Sequence, residues 1–121
     1  MSKTILIVDD EPNIVLSVEY LLKREGFEVR TAGDGQAAIE MLAASRPDLM
    51  ILDVMMPRKN GFEVCKEVRA DPALRGLPII LLSAKGREVE IAKGLSLGAD
   101  AYITKPFSTH ELVARVKEML K

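Results

Sequence analysis

Five short apolar runs alternate with five stretches of helical periodicity. That alternation predicts an α/β protein, a doubly wound parallel sheet with helices on both faces, in three αβα layers. Two further observations point the same way. The third and fourth runs, DLMILD and PIILLS, are almost continuously apolar, as in strands covered on both sides. Small polar or charged residues stand where the runs stop, which is the edge at which open α/β sheets bind ligands.

The first strand is predicted over 4–9 and the first helix over 12–25. Pro12 suits a first helical position, where no N–H is needed, and Gly26 is a C-terminal stop. Ile14, Val15, Val18, Leu21 and Leu22 make that helix's apolar face. The second strand, FEVRTA over 27–32, alternates apolar and polar and suits an edge. Asp34-Gly35 opens a helix over 35–45 with Ala38, Ile39 and Leu42 inward, and Pro47 prevents its continuation. The third strand covers 48–53. A helix over 61–70 follows, with Phe62, Cys65 and Val68 on one face, and ends before Asp71-Pro72. After the fourth strand (78–83) comes the least apolar helix, 88–96. Its inward residues are predicted to be Val89, Ala92 and Leu95 or Ser96, and it stops at Gly98. The fifth strand covers 101–104. Ser108-Thr109-His110-Glu111 matches a capping box opening the last helix, with Leu112, Val113, Val116, Met119 and Leu120 on one face. His110 then lies in an exposed first turn and reads as a solvated cap residue.

The chain has 121 residues, enough for one domain with a core and too few for two. Net charge is −1 from 17 basic and 18 acidic residues, so nothing electrostatic calls for nucleic acid or an anionic membrane. The small basic loop Ala84-Lys85-Gly86-Arg87 does not change this. Cys65 is the single cysteine, which rules out an intramolecular disulfide and a multi-cysteine metal site. No run reaches the length of a membrane span and the N-terminus does not read as a signal peptide, so the default expectation is a soluble, cytoplasmic protein.

Asp9, Asp10, Asp53, Ser83 and Lys105 fall at the ends of the first, third, fourth and fifth strands. On one sheet edge they would meet in a crevice. Clustered carboxylates repel, and a hard divalent cation such as Mg²⁺ relieves the conflict. Lys105 supplies a positive charge for phosphate and Ser83 a hydroxyl. These are parts for holding a phosphoryl group on or beside a carboxylate, with Asp53 the natural nucleophile.

The residues also spell a family. The chain resembles the receiver domain of bacterial two-component response regulators, of the chemotaxis-regulator type, along essentially its whole length. The resemblance is carried by Val8-Asp9-Asp10-Glu11, by Leu52-Asp53-Val54-Met55-Met56-Pro57 with Gly61, by Ser83-Ala84, by Gly98-Ala99-Asp100-Ala101-Tyr102 and by Lys105-Pro106-Phe107. It implies a flavodoxin-like fold with strand order 2-1-3-4-5, a order this type of domain exemplifies among doubly wound folds. It implies that Asp53 accepts a phosphoryl group from the phosphohistidine of a sensor histidine kinase or phosphotransfer protein. Asp10 and Asp53 would hold Mg²⁺ directly, Asp9 largely through water, and Met55 through its backbone carbonyl. Lys105 and Ser83 would contact phosphoryl oxygens, and Lys105-Pro106 would be a cis peptide. Ser83 and Tyr102 would form a switch that alters the face of helix 4, strand 5 and helix 5 for a downstream protein or output domain.

The positions two after Asp53 and two after Ser83, Met55 and Lys85, tune phosphoryl lifetime in this family. Apolar Met55 cannot orient an attacking water, so slow self-dephosphorylation is expected, with no other enzymatic turnover. Residues 1–121 read as a single receiver domain, standing alone or forming the N-terminal part of a longer regulator. It would be a monomer or a phosphorylation-dependent homodimer. Receivers joined to winged-helix domains often carry two tandem acids before the tyrosine; here Asp100 stands alone, which counts against that dimer mode. Three other readings are weaker. A flavin binder needs Ser, Thr and Gly donors where this chain has Asp-Asp-Glu-Pro-Asn. A phosphohydrolase needs an Asp-x-Asp strand and a cap. A degenerate scaffold would lack the key residues, all of which are present.

Overall fold

The computed structural model describes residues 2–56, 58–84 and 87–120. Pro57 of the third-strand motif, and Lys85 and Gly86 of the basic loop, lie outside the described residues. Strands and helices alternate strictly: β1 (Thr4–Val8), α1 (Pro12–Arg24), β2 (Glu28–Ala32), α2 (Gly35–Ala44), β3 (Leu49–Asp53), α3 (Gly61–Ala70), β4 (Ile79–Ala84), α4 (Glu88–Ser96), β5 (Ala101–Lys105) and α5 (Thr109–Met119). The strands form one parallel sheet in the order β2-β1-β3-β4-β5. The fold is the flavodoxin-like receiver arrangement implied above.

Side chains on a strand point alternately to the two faces, so the central strands β1, β3 and β4 feed two cores. Ile5, Ile7, Leu49, Ile51, Ile80, Leu82 and Ile103 meet Val18 and Leu22 of α1 and Leu112 and Val116 of α5. Leu6, Val8, Met50, Leu52, Ile79 and Leu81 face the opposite side, against Ala38 and Leu42 of α2 and Val64, Cys65 and Val68 of α3. This explains the apolar runs of β3 and β4: every residue of β3 is buried, because both of its faces are covered. Each fully buried Leu or Ile contributes about 1.5–3 kcal/mol. β2 is the edge, and three of its five residues are exposed.

The helix ends follow local chemistry. Asp34 caps α2 by accepting the Ala37 N–H at 2.8 Å. At α5 the Ser108 hydroxyl accepts the Glu111 N–H at 3.0 Å. The reciprocal bond predicted from Glu111 is not formed. A complete capping box instead opens α3, where Asn60 and Glu63 exchange bonds of 3.0 Å. Gly26 and Gly98 end α1 and α4 with φ of +95° and +109°, a backbone conformation that favours glycine.

The predicted inner face of α4 is wrong. Val89, Ala92, Leu95 and Ser96 are all exposed, Val89 at 84%. The buried position is Gly94. A Cβ there would lie 2.1 Å from Leu81 Cδ1. The helix packs through its missing side chain, which a hydrophobic pattern cannot register.

Candidate functional site

Four parallel strands bring their C-terminal ends to one edge. Asp9 and Asp10 directly follow β1, Asp53 closes β3, Ser83 is next to last in β4, and Lys105 closes β5. The register sets Asp53 beside Leu82, Ser83 beside Thr104 and Ala84 beside Lys105. One carboxylate oxygen from each of Asp9, Asp10 and Asp53 lies within 4.8 Å of the others. Asp9 and Asp53 are buried, at 1% and 5% exposure, and Asp10 is exposed.

The Lys105 ammonium ties this cluster together. Its Nζ lies 3.0 Å from Asp9 Oδ2, 3.1 Å from Glu11 Oε1 and 3.3 Å from Asp53 Oδ1. Burial pushes the Asp53 carboxyl up to about 6, the negative charge of Asp9 adds to this, and Lys105 only partly opposes it. Burial alone would push Lys105 down. The Asp9 carboxylate in close contact, the charge of Asp53 and the hydrogen bond to Glu11 outweigh that and hold the ammonium well above its ordinary pKa.

Asp9 Oδ1 accepts the Glu11 N–H at 2.9 Å. Asp9 Oδ2 is buried, and no hydrogen bond from the described residues is directed at it. The nearby Lys105 Nζ makes a charge contact there, not an aligned bond. A buried carboxylate oxygen left in this state, in a set of three carboxylates, fits a hard divalent cation taking oxygen ligands.

Asp53 is set by the start of α3. The Gly61 N–H donates to Val54 O at 2.9 Å. A Cβ on Gly61 would fall 2.4 Å from Asp53 O and 2.9 Å from Val54 Cα, so only glycine lets the helix press on this backbone. The loop after β3 is also tied to α2. Arg58, at φ 66°, pairs with Asp34 Oδ2 at 2.9 Å. A Cβ on Gly35 would overlap Lys59 O.

Ser83 is buried, and among the described residues its hydroxyl reaches only Ala84 O, at 3.5 Å, the outer limit of a hydrogen bond. Met55 and Tyr102 are 60% and 42% exposed. Lys105-Pro106 is cis. Two members of the neighbourhood escaped the sequence reading: Glu11, quoted there only as part of a motif, and the Arg58–Asp34 pair. The Asp100 that stood alone is engaged locally: its Oδ2 accepts from Arg69 Nη2 and from the Ile79 N–H, each at 2.9 Å.

Comparison with known proteins agrees with this geometry. The model of the response regulator receiver domain family matches residues 5–117. The chain is 48% identical over 121 residues to the alkaline phosphatase synthesis transcriptional regulatory protein PhoP of Bacillus subtilis (strain 168), covering all of this chain and 50% of that protein. It thus spans half the length of this curated relative. The fold superposes on the chemotaxis response regulator CheY4 of Vibrio cholerae with a TM-score of 0.93 at 32% identity, covering 99% of this chain and 100% of that one. It superposes on the signal receiver domain of a signal transduction histidine kinase from Syntrophus aciditrophicus with a TM-score of 0.92 at 34% identity, covering 98% and 90%. The chain belongs to the response regulator receiver domains of two-component systems, phosphorylatable signalling switches.

Proposed function

We propose that Asp53 is the phosphoacceptor of this receiver and that residues 1–121 act as one receiver domain. The observation that carries the reading is the placement of a buried Asp53 carboxylate 3.3 Å from the Lys105 ammonium and within 4.8 Å of the Asp9 and Asp10 carboxylates. An Asp53 oxygen attacks the phosphorus of a phosphohistidine on the partner kinase or phosphotransfer protein. The O–P bond forms, the P–N bond breaks, and the imidazole leaves with the electron pair and takes up a proton. Lys105 meets the negative charge on the transferring oxygens, and the Ser83 hydroxyl donates to one of them. Asp9, Asp10, Asp53 and the Met55 carbonyl are the residues that would hold Mg²⁺, which when bound supplies positive charge to the carboxylates and the phosphoryl group.

The phosphoryl group brings about −1.5 to −2 charge and three acceptor oxygens. Ser83 has little to lose by turning toward it, since its one hydrogen bond among the described residues is 3.5 Å long. That turn opens space for Tyr102 and shifts the face formed by α4, β5 and α5 between two packings. The output is a downstream protein or an attached output domain. The Bacillus subtilis relative is named a transcriptional regulatory protein, which favours a transcriptional output. The domain itself works without touching nucleic acid, as a monomer or a phosphorylation-dependent homodimer.

Incubation with Mg²⁺ and a small phosphodonor, followed by intact mass measurement, tests the reading. The expected result is an adduct of about 80 Da that maps to Asp53 and is absent in Asp53→Asn. Failure to form any adduct with several donors would rule out Asp53 as the acceptor.

A further inference from the structure

We propose that Glu11 is a positioning residue that competes with the phosphoryl group for the Lys105 ammonium, and so sets how strongly the resting state resists phosphorylation. The inference rests on the proposed role of Lys105 at Asp53.

Glu11 is the N-cap residue of α1, yet its side chain makes no capping bond. Capping residues are normally short and polar, because their oxygen must turn back to the first helical N–H groups. Here the helix needs less of this. Pro12, which has no N–H, occupies the first turn. The Glu11 side chain instead crosses to Lys105, 94 positions away, and accepts from Nζ at 3.1 Å.

The backbone directs it there. The Glu11 N–H is held at 2.9 Å by Asp9 Oδ1, so the residue's starting point is fixed by a buried carboxylate of the site itself. The Glu11 side chain is 60% exposed, whereas those of Asp9 and Asp53 are 0% and 7% exposed. Lys105 is therefore drawn between two buried acids and one at the rim. An ammonium has three N–H donors, and three carboxylates surround this one. A phosphoryl oxygen on Asp53 adds a fourth, stronger claimant. The rim contact is the one to release, because water replaces it on both sides. Whatever stability the Glu11–Lys105 contact gives the resting state is lost on phosphorylation, so removing it favours the phosphorylated state.

Beryllofluoride, a stable phosphoryl mimic, provides the measurement, with its affinity determined by titration at fixed Mg²⁺. Glu11→Gln binds about two- to fivefold tighter than wild type, the range of a partly exposed ion pair. Glu11→Asp keeps the charge but is one methylene shorter, and it behaves like Glu11→Gln. In a Lys105→Met background, Glu11→Gln has no further effect. The ¹⁵Nζ resonance of Lys105 in metal-free protein shifts in both Glu11 variants. Equal tightening by Glu11→Gln with and without Lys105, or wild-type behaviour of Glu11→Asp, would mean that Glu11 acts only as a nearby negative charge and would overturn the proposal. So would unchanged or weaker binding in Glu11→Gln. Absence of beryllofluoride binding in the wild type would instead overturn the assignment of Asp53. Glu11 is exposed and bonds no helix N–H through its side chain, so these variants fold, and their melting curves verify it.

Discussion

Asp53 sits where charge is disfavoured. It closes a strand buried along its whole length, and its carboxyl is pushed up to about 6 by burial and by Asp9. In the unfolded chain the same carboxyl ionises near its ordinary value of 3.8. Between those two pH values the unfolded state loses the proton while the folded state keeps it, so the metal-free protein loses stability as pH rises through this window. The stability associated with this group is fully present below about pH 4 and fully lost above about pH 6. Asparagine has no proton to lose. Metal-free Asp53→Asn should therefore match wild type near pH 4 and exceed it by about 1–3 kcal/mol at pH 8. Denaturant melts at the two pH values decide it, and a variant no more stable than wild type at pH 8 would refute the account. Residue types at strand ends placed Asp53, Ser83 and Lys105 on one sheet edge from sequence, and a charged residue closing an apolar run calls for a compensating partner. Which acids share Lys105 was not readable, since that depends on distances across the sheet edge.

At the scale of elements, Arg69 of α3 joins four pieces of chain. Its guanidinium donates to Gly98 O at 2.9 Å, to Arg75 O and Leu77 O at 2.8 Å, and to Asp100 Oδ2 at 2.9 Å. One side chain thus fixes the end of α4, the connection into β4 and the start of β5. Arg69→Ala should lower stability by about 1–3 kcal/mol, because the part-buried carbonyls of Gly98 and Leu77 lose their donor along with the exposed bonds to Arg75 O and Asp100. Arg69→Lys should recover little, since an ammonium lacks the planar fork that reaches all four acceptors. Thermal melts of both variants test this; a midpoint for Arg69→Ala indistinguishable from wild type would show that the clamp contributes nothing. The α4 error belongs to this scale too. Helical periodicity finds large apolar side chains, and α4 meets Leu81 through Gly94. The Asn60–Glu63 capping box was present in the sequence as Asn-x-x-Glu and could have been found beside the one at Ser108.

For the whole molecule, the cation site proposed at Asp9, Asp10 and Asp53 predicts that folding is coupled to Mg²⁺. A ligand that binds only the native state stabilises it by mass action, about 1.4 kcal/mol when present at tenfold its dissociation constant. Millimolar Mg²⁺ should raise the melting midpoint of the wild type by a few degrees and that of Asp53→Asn by less. Equal shifts in both proteins would place the cation elsewhere. The same cluster shows how far the primary structure reached. Alternating periods of 2 and about 3.6 residues determined the strands, the helices and the parallel α/β class, because side-chain direction follows directly from backbone repeat. Polar residues closing apolar runs marked the edge where the candidate site lies. Only the tertiary structure decided that Lys105 lies among Asp9, Glu11 and Asp53, that Gly61 presses on the backbone of Asp53, and that α4 turns Val89 to solvent. Those facts depend on close approach between residues distant in sequence. Such approach is governed by strand register and by the absence of side chains at contact points, and neither leaves a periodic trace along the chain.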